Sequence, residues 1–159
     1  ALGDAIAHNT RVYLTGGASA VLLGWRESTI DIDLTFVPEG DEVFRAIARL
    51  KDELAINVEL ASPAHFIPPV PGWDTPSTSI AQEGRVAFYH YDFYSQALAK
   101  IERGHTQDGV DVAAMLARGL VEPGRLLDLF ELIFPEMYRY PTIDPASFRR
   151  LVREAVTLK

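Results

Sequence analysis

Apolar and polar residues alternate in short runs through the first part of the chain, and later recur at helical spacing. Arg11-Val12-Tyr13-Leu14 is rich in β-formers and stops at Thr15-Gly16-Gly17, which predicts a short strand closed by a glycine turn. Ala18 to Gly24 is small and apolar and predicts a short buried helix opening directly after the glycines. From Ile30 to Val37 the alternation is strict. Ile30, Ile32, Leu34 and Phe36 fall on one face and Asp31, Asp33 and Thr35 on the other, the pattern of a strand with one buried side. Pro38-Glu39-Gly40 predicts a turn, and Asp41 stands where it can cap the next helix. That helix carries an apolar stripe through Val43, Ile47, Leu50 and Leu54, with Phe44 and Ala48 beside it, and ends near Ala55. Ile56 to Leu60 alternates again, with Ile56, Val58 and Leu60 inward and Asn57 and Glu59 outward.

Pro63 to Pro76 holds five prolines, too many for a regular element, although Ile67, Val70 and Trp73 suggest a loop packed down on the body. Arg85 to Tyr91 reads as a further strand, with an edge-like strand near Ser79 to Ala81. Beyond it the pattern turns helical over Asp92 to Arg103, Asp108 to Arg118, Pro123 to Phe134 and Pro145 to Leu158. The expected class is α+β: a small mixed β-sheet with flanking helices, followed by a helical C-terminal part. The expected organisation is a single domain over 1–159, with a sheet-containing lobe at 1–91 and a helical part at 92–159.

Composition narrows the function classes. The chain has 159 residues and no cysteine, which excludes disulfides and thiolate metal sites and fits a reducing cytoplasm. No apolar run is long enough to span a membrane. The chain opens at Ala1 without a methionine, and Ala1 to His8 reads as the end of a helix from a longer parent. Net charge is -7, the wrong sign for a protein that grips nucleic acid over a broad surface. The acidity is local: nine acids lie between Glu27 and Glu59, whereas the last stretch carries Arg149, Arg150, Arg153 and Lys159 against Glu154.

The acidic stretch contains the chemistry. Asp31 and Asp33 are two apart on a strand, so their carboxylates point the same way, roughly 5–7 Å apart. At an effective dielectric of about 20 the two charges repel by about 2–3 kcal/mol. Water can screen such a pair on an exposed edge; a hard divalent cation with oxygen ligands neutralises it directly. Gly16-Gly17 at a strand-to-helix turn leaves backbone N–H groups open to a phosphate, with the Ser19 hydroxyl in the first helical turn. It is not a Walker loop, because the Gly-Lys-Ser/Thr ending is missing.

Taken together, Gly16-Gly17, thirteen intervening residues and Asp31-Ile32-Asp33-Leu34 resemble the hallmark of the polymerase-beta-like nucleotidyltransferase superfamily. Thr29, two before Asp31, fits the threonine that often precedes that pair. Ala97 to Arg103 around Lys100, then Asp108 and Asp111, resemble the lysine helix and paired-aspartate helix of minimal bacterial members, among them the abortive-infection toxin type. The resemblance implies a nucleotidyltransferase fold and Mg²⁺ (or Mn²⁺) held by Asp31, Asp33 and a third acid, for which Glu59 is the match. It implies a nucleoside triphosphate cradled by Gly16, Gly17 and Ser19 and reached by Lys100. Three departures stand out: glutamate rather than aspartate as third acid, Gln107 where a basic residue often stands, and Arg26 one position from the usual arginine.

The implied reaction moves a nucleoside monophosphate to an acceptor hydroxyl on tRNA, a protein or a small molecule, in the cytoplasm. The rival readings are a catalytically inactive module serving as a binding or antitoxin-type partner, and an acidic cleft that only stores a cation. On the residues alone, Lys100 reads first as a solvated helix lysine, Asp108 as an N-cap and Asp111 as a residue that favours the helix dipole. His65, His90 and His105 have no zinc spacing and read as structural or surface residues. The aromatics from Phe88 to Tyr94 read as core and sheet surface, with Tyr89 or Tyr91 left as base-stacking candidates.

Overall fold

The computed structural model describes residues 1–75 and 78–157. By contacts the chain forms two compact units, Ala1–Ser62 with Pro76–Tyr91 and Pro63–Thr75 with Asp92–Lys159.

The first unit is built on a five-stranded sheet of β1 (Thr10–Thr15), β2 (Asp31–Val37), β3 (Asn57–Leu60), β4 (Ser79–Glu83) and β5 (Val86–His90), in the order β3-β2-β1-β5-β4. β1 pairs antiparallel with β2 and parallel with β5; β2 pairs parallel with β3, and β4 antiparallel with β5. Its helices are α1 (Leu2–Ala5), α2 (Gly17–Leu23) and α3 (Asp41–Leu54). The period-two pattern decides the core. Val12, Leu34, Phe36, Val58 and Val86 meet Val43, Ala46 and Ile47 of α3. The sheet is therefore mixed and the fold is the expected class.

Several boundaries differ from the sequence expectation. Ile30 lies outside β2 and is 90% exposed. The β1 ladder ends at the Thr15–Asp33 pair, and the β3 ladder begins at the Asp31–Asn57 pair, so no strand flanks Ile30. Ile56 and Leu60 are exposed and only Val58 is buried, because β3 is an edge strand. Gly40, not Asp41, is the N-cap of α3; Asp41 and Glu42 sit in its first turn, where they favour the dipole. The buried stripe of α3 is Val43, Ala46 and Ile47, leaving Leu54 exposed at the helix end.

The second unit is helical: α4 (Phe93–Arg103), α5 (Thr106–Ala117), α6 (Pro123–Ile133), a 3₁₀ segment (Phe134–Arg139) and α7 (Pro145–Thr157). Asp92 caps α4 by accepting from the Ser95 N–H at 2.8 Å, and Glu122 caps α6 by accepting from Gly124 and Arg125. Leu98, Met115, Leu126, Phe130 and Phe148 are fully buried, and the Phe130 and Phe148 rings meet edge-on at 4.9 Å. The proline-rich loop packs as expected through Ile67 and Val70, but it groups with the helices, so this unit begins well before residue 92. The Tyr140 hydroxyl donates to the Ala64 carbonyl at 2.8 Å and ties the loop down. α5 starts two residues earlier than expected, with His105 as N-cap, so Asp108 is its third residue and not its cap. Pro76 and Leu158, at the ends of the expected loop and last helix, lie outside the described residues. Among the described residues no helix is long and apolar enough to cross a membrane.

Candidate active site

Strand register brings the acids together. Thr15 of β1 pairs with Asp33 of β2, and Asp33 pairs with Glu59 of β3. Register partners share a face, so Thr15, Asp33 and Glu59 form one lateral row with strands about 4.8 Å apart. Asp31 lies two residues along the same face, opposite Asn57. The Asn57 side-chain amide donates to Asp31 Oδ1, a neutral donor beside one carboxylate of the pair. Asp31 and Asp33 are half-buried and Glu59 is exposed.

The glycine turn abuts this row. Gly16 follows Thr15 directly and holds φ +62°, a conformation that favours glycine. A Cβ built on Gly16 would lie 3.0 Å from Asp33 Oδ2, so Asp33 is aimed at the turn rather than away from it. Gly17 is closed in from the other side: a Cβ there would meet Thr29 Oγ1 at 2.3 Å and the Thr29 Cβ at 2.9 Å. The Thr29 hydroxyl donates to the Asp31 carbonyl at 2.9 Å, so the loop entering β2 is bonded to that strand and packed on the turn. The backbone geometry thus gives Gly17 a packing reason that the sequence did not disclose.

Ser19, expected at the triphosphate, is 0% exposed. Its hydroxyl donates to the Leu14 carbonyl at 3.2 Å and shares a 2.8 Å hydrogen bond with His90 Nδ1. It ties α2 to the ends of β1 and β5. Burial holds the His90 pKa below its ordinary value. Tyr91 is buried edge-on against Tyr13, which removes it as a base-stacking surface, whereas Tyr89 is half-buried and stacked on Tyr13 at 5.7 Å.

Lys100, the other residue expected at the triphosphate, belongs to the helical unit and is buried there. Its ammonium lies 2.8 Å from Asp111 and 3.5 Å from Asp108, both essentially unexposed. Arg103 grips Asp108 with two donors, at 2.8 Å and 2.5 Å, and Gln107 donates to Asp111 at 3.3 Å. Burial raises the pKa of Asp108, but Arg103, Lys100 and the His105 N–H together outweigh it and hold the carboxyl below its ordinary range. Buried Lys100 and the exposed Arg103 guanidinium together balance the two carboxylates, which is how α4 and α5 can bury Lys100, Asp108 and Asp111.

Asp31, Asp33 and Glu59 supply hard oxygen donors on adjoining strands, the donor set that suits Mg²⁺ or Mn²⁺, and the absent side chain at Gly16 leaves space beside Asp33. Their carboxylates are not drawn into a tight cluster: among the described residues no group of three or more His, Asp or Glu side chains is close enough to hold a metal ion. Mutual repulsion of like charges favours that spread. Two residues of the site were not picked out by sequence, Thr15 and Asn57. The spacing Asn57-x-Glu59 copies that of Asp31-x-Asp33 and was the available signal for the second.

A mixed sheet carrying a glycine turn against paired aspartates, with helices following, is the architecture of a nucleotidyltransferase-type domain. Residues 4–153 match the family model described as nucleotidyltransferase of unknown function (DUF6036), and the chain belongs to that family. No curated protein and no solved structure matches the chain. The family supports a general nucleotidyltransferase role.

Proposed function

We propose that the protein transfers a nucleoside monophosphate from a nucleoside triphosphate to an acceptor hydroxyl, with Mg²⁺ or Mn²⁺. The observation that carries this reading is the lateral row Thr15–Asp33–Glu59 set against the Gly16 turn, with Asp31 two residues along. Asp31, Asp33 and Glu59 are the residues that would hold the ion. When bound, such an ion neutralises phosphate charge and stabilises the entering and leaving oxygens. Gly16 places no side chain of its own beside Asp33, so the triphosphate can lie close to the chain at this turn, with Gly17 packed behind it on Thr29. The acceptor oxygen attacks the α-phosphorus, the bond to the β-phosphate oxygen breaks, and pyrophosphate leaves. Glu59, exposed at the sheet edge, takes the hydroxyl proton. A tRNA end, a protein hydroxyl and a small molecule are all compatible acceptors.

A second reading, a catalytically inactive nucleotidyltransferase-like module that binds a partner such as an antitoxin-type protein, is favoured by two observations. The three carboxylates do not converge, and the hydroxyl of Ser19 and the ammonium of Lys100 already have internal partners. The two readings separate in one experiment. The protein is incubated with each α-labelled nucleoside triphosphate, Mg²⁺ or Mn²⁺ and a cell extract. Transfer of label that Asp33→Ala abolishes supports the enzyme; no transfer from any triphosphate supports the module.

A further inference from the structure

Two register pairs of β2 and β3 mark out a four-cornered patch on the acidic face of the sheet. Asp31 lies opposite Asn57, and Asp33 opposite Glu59. Residues two apart on a strand share a face, so all four side chains project to the same side. Neighbours across the strands stand about 4.8 Å apart and neighbours along a strand about 6.6 Å apart. Three corners carry carboxylates and the fourth an amide. An acid at position 57 would set two negative charges directly opposite one another, which weakens a strand pair. Asparagine instead donates its Nδ2 to Asp31 Oδ1. Among the described residues no other side chain donates to the Asp31 carboxylate, and Oδ2 takes no part in this bond. Asp33 is turned differently, with its Oδ2 aimed at Gly16. The two aspartates therefore face opposite ways, Asp33 toward the turn after β1 and Asp31 toward β3. Asn57 is exposed on an edge strand, so the packing of the core sets no demand for an amide there.

We propose that Asn57 is a positioning residue that keeps Asp31 Oδ1 occupied, confines Asp31 to ligation through one oxygen, and so selects Mg²⁺ or Mn²⁺ over Ca²⁺. The assignment rests on the function proposed above, in which Asp31 helps to hold the ion. A ligating carboxylate is oriented by the hydrogen bond it accepts from an outer partner, and loss of such a partner typically lowers metal affinity about 10–100-fold. The restriction to one oxygen also discriminates between ions. Ca²⁺ gathers about 6–8 oxygens and readily takes both from one carboxylate, whereas the smaller Mg²⁺ holds to an octahedron that one oxygen from each carboxylate can fill. Mn²⁺ shares that octahedral preference.

The test is metal binding to the full chain without nucleotide, with Mn²⁺ followed by electron paramagnetic resonance and Ca²⁺ by its displacement of Mn²⁺. Asn57→Ala is expected to weaken Mn²⁺ about tenfold or more. Ca²⁺ affinity should hold or rise, because both Asp31 oxygens become available to it, so the ratio of Mn²⁺ to Ca²⁺ affinity falls. Asn57→Gln keeps an amide on the exposed edge and should recover part of that ratio. Damage to the fold would lower both affinities together and leave their ratio, so the ratio separates positioning from a merely structural role. Mn²⁺ binding to the unaltered chain with a ratio that ignores Asn57→Ala overturns the role of Asn57 and leaves the proposed function standing. An unaltered chain that takes up no Mn²⁺ removes the ion from the proposed function, and this role falls with it.

Discussion

Replacing Asp111 with asparagine keeps the side-chain volume and removes the charge that faces Lys100. The Lys100 ammonium sits 2.8 Å from Asp111 and 3.5 Å from Asp108, and Arg103 competes for the second carboxylate. At an effective dielectric of about 20, the attraction lost at 2.8 Å is about 6 kcal/mol before desolvation is counted. Counting the exposed Arg103, Asp111→Asn also changes the four-group network from balanced to a net charge of +1. Breaking one partner of a buried pair typically costs about 3–5 kcal/mol, a large share of the roughly 5–15 kcal/mol that holds a domain together. The expected result is a fall of about 3–5 kcal/mol in unfolding free energy by urea titration, with an unchanged slope. Lys100→Met should cost a similar amount, and Lys100→Met with Asp111→Leu should recover much of it, since a buried pair replaced whole is often neutral. A loss below about 1 kcal/mol for both single variants would refute the staple between α4 and α5. Reduced nucleotide affinity in Lys100→Met at unchanged stability would instead return Lys100 to the triphosphate.

Two further perturbations follow from the turn and its support. Burial depresses the His90 pKa in the folded chain, so its contribution to stability is complete above its ordinary value of 6.5 and is lost as pH falls below it; the urea midpoint should drop between about pH 7.5 and about pH 5, and a His90→Gln variant with the same drop would exclude His90 as the cause. Gly17→Ala forces a Cβ to within 2.3 Å of Thr29 Oγ1 and should destabilise by about 1–3 kcal/mol, whereas Gly109→Ala, open to space inside α5, should not destabilise; equal melting temperatures for the two variants would contradict the close approach.

Local pattern carried a good part of the fold. The alternation in Ile32, Asp33, Leu34, Thr35 and Phe36 separates a core face from an acidic face, because successive side chains of a strand point to opposite sides. The glycine turn, α3, and α4 to α7 were likewise legible from period and punctuation, since capping and stripe are set within one or two turns of a helix. Asp33 and Glu59 could be named from spacing and resemblance, and the register of β2 against β3 sets them side by side.

The partners of those residues were decided elsewhere. Asn57 meets Asp31, and Thr15 meets Asp33, only because β2 lies between β1 and β3. Ser19 turns to His90, seventy-one positions away, and Lys100 turns to Asp111, because each polar atom buried in the body must find a bond there. Arg11 and Gln82 share a cavity because β5 inserts between β1 and β4. Sequence period repeats over a few residues and fixes which way each side chain faces; strand order joins distant segments and fixes what it faces. For this protein the first was determined by the chain's local chemistry, and the second by the tertiary structure alone.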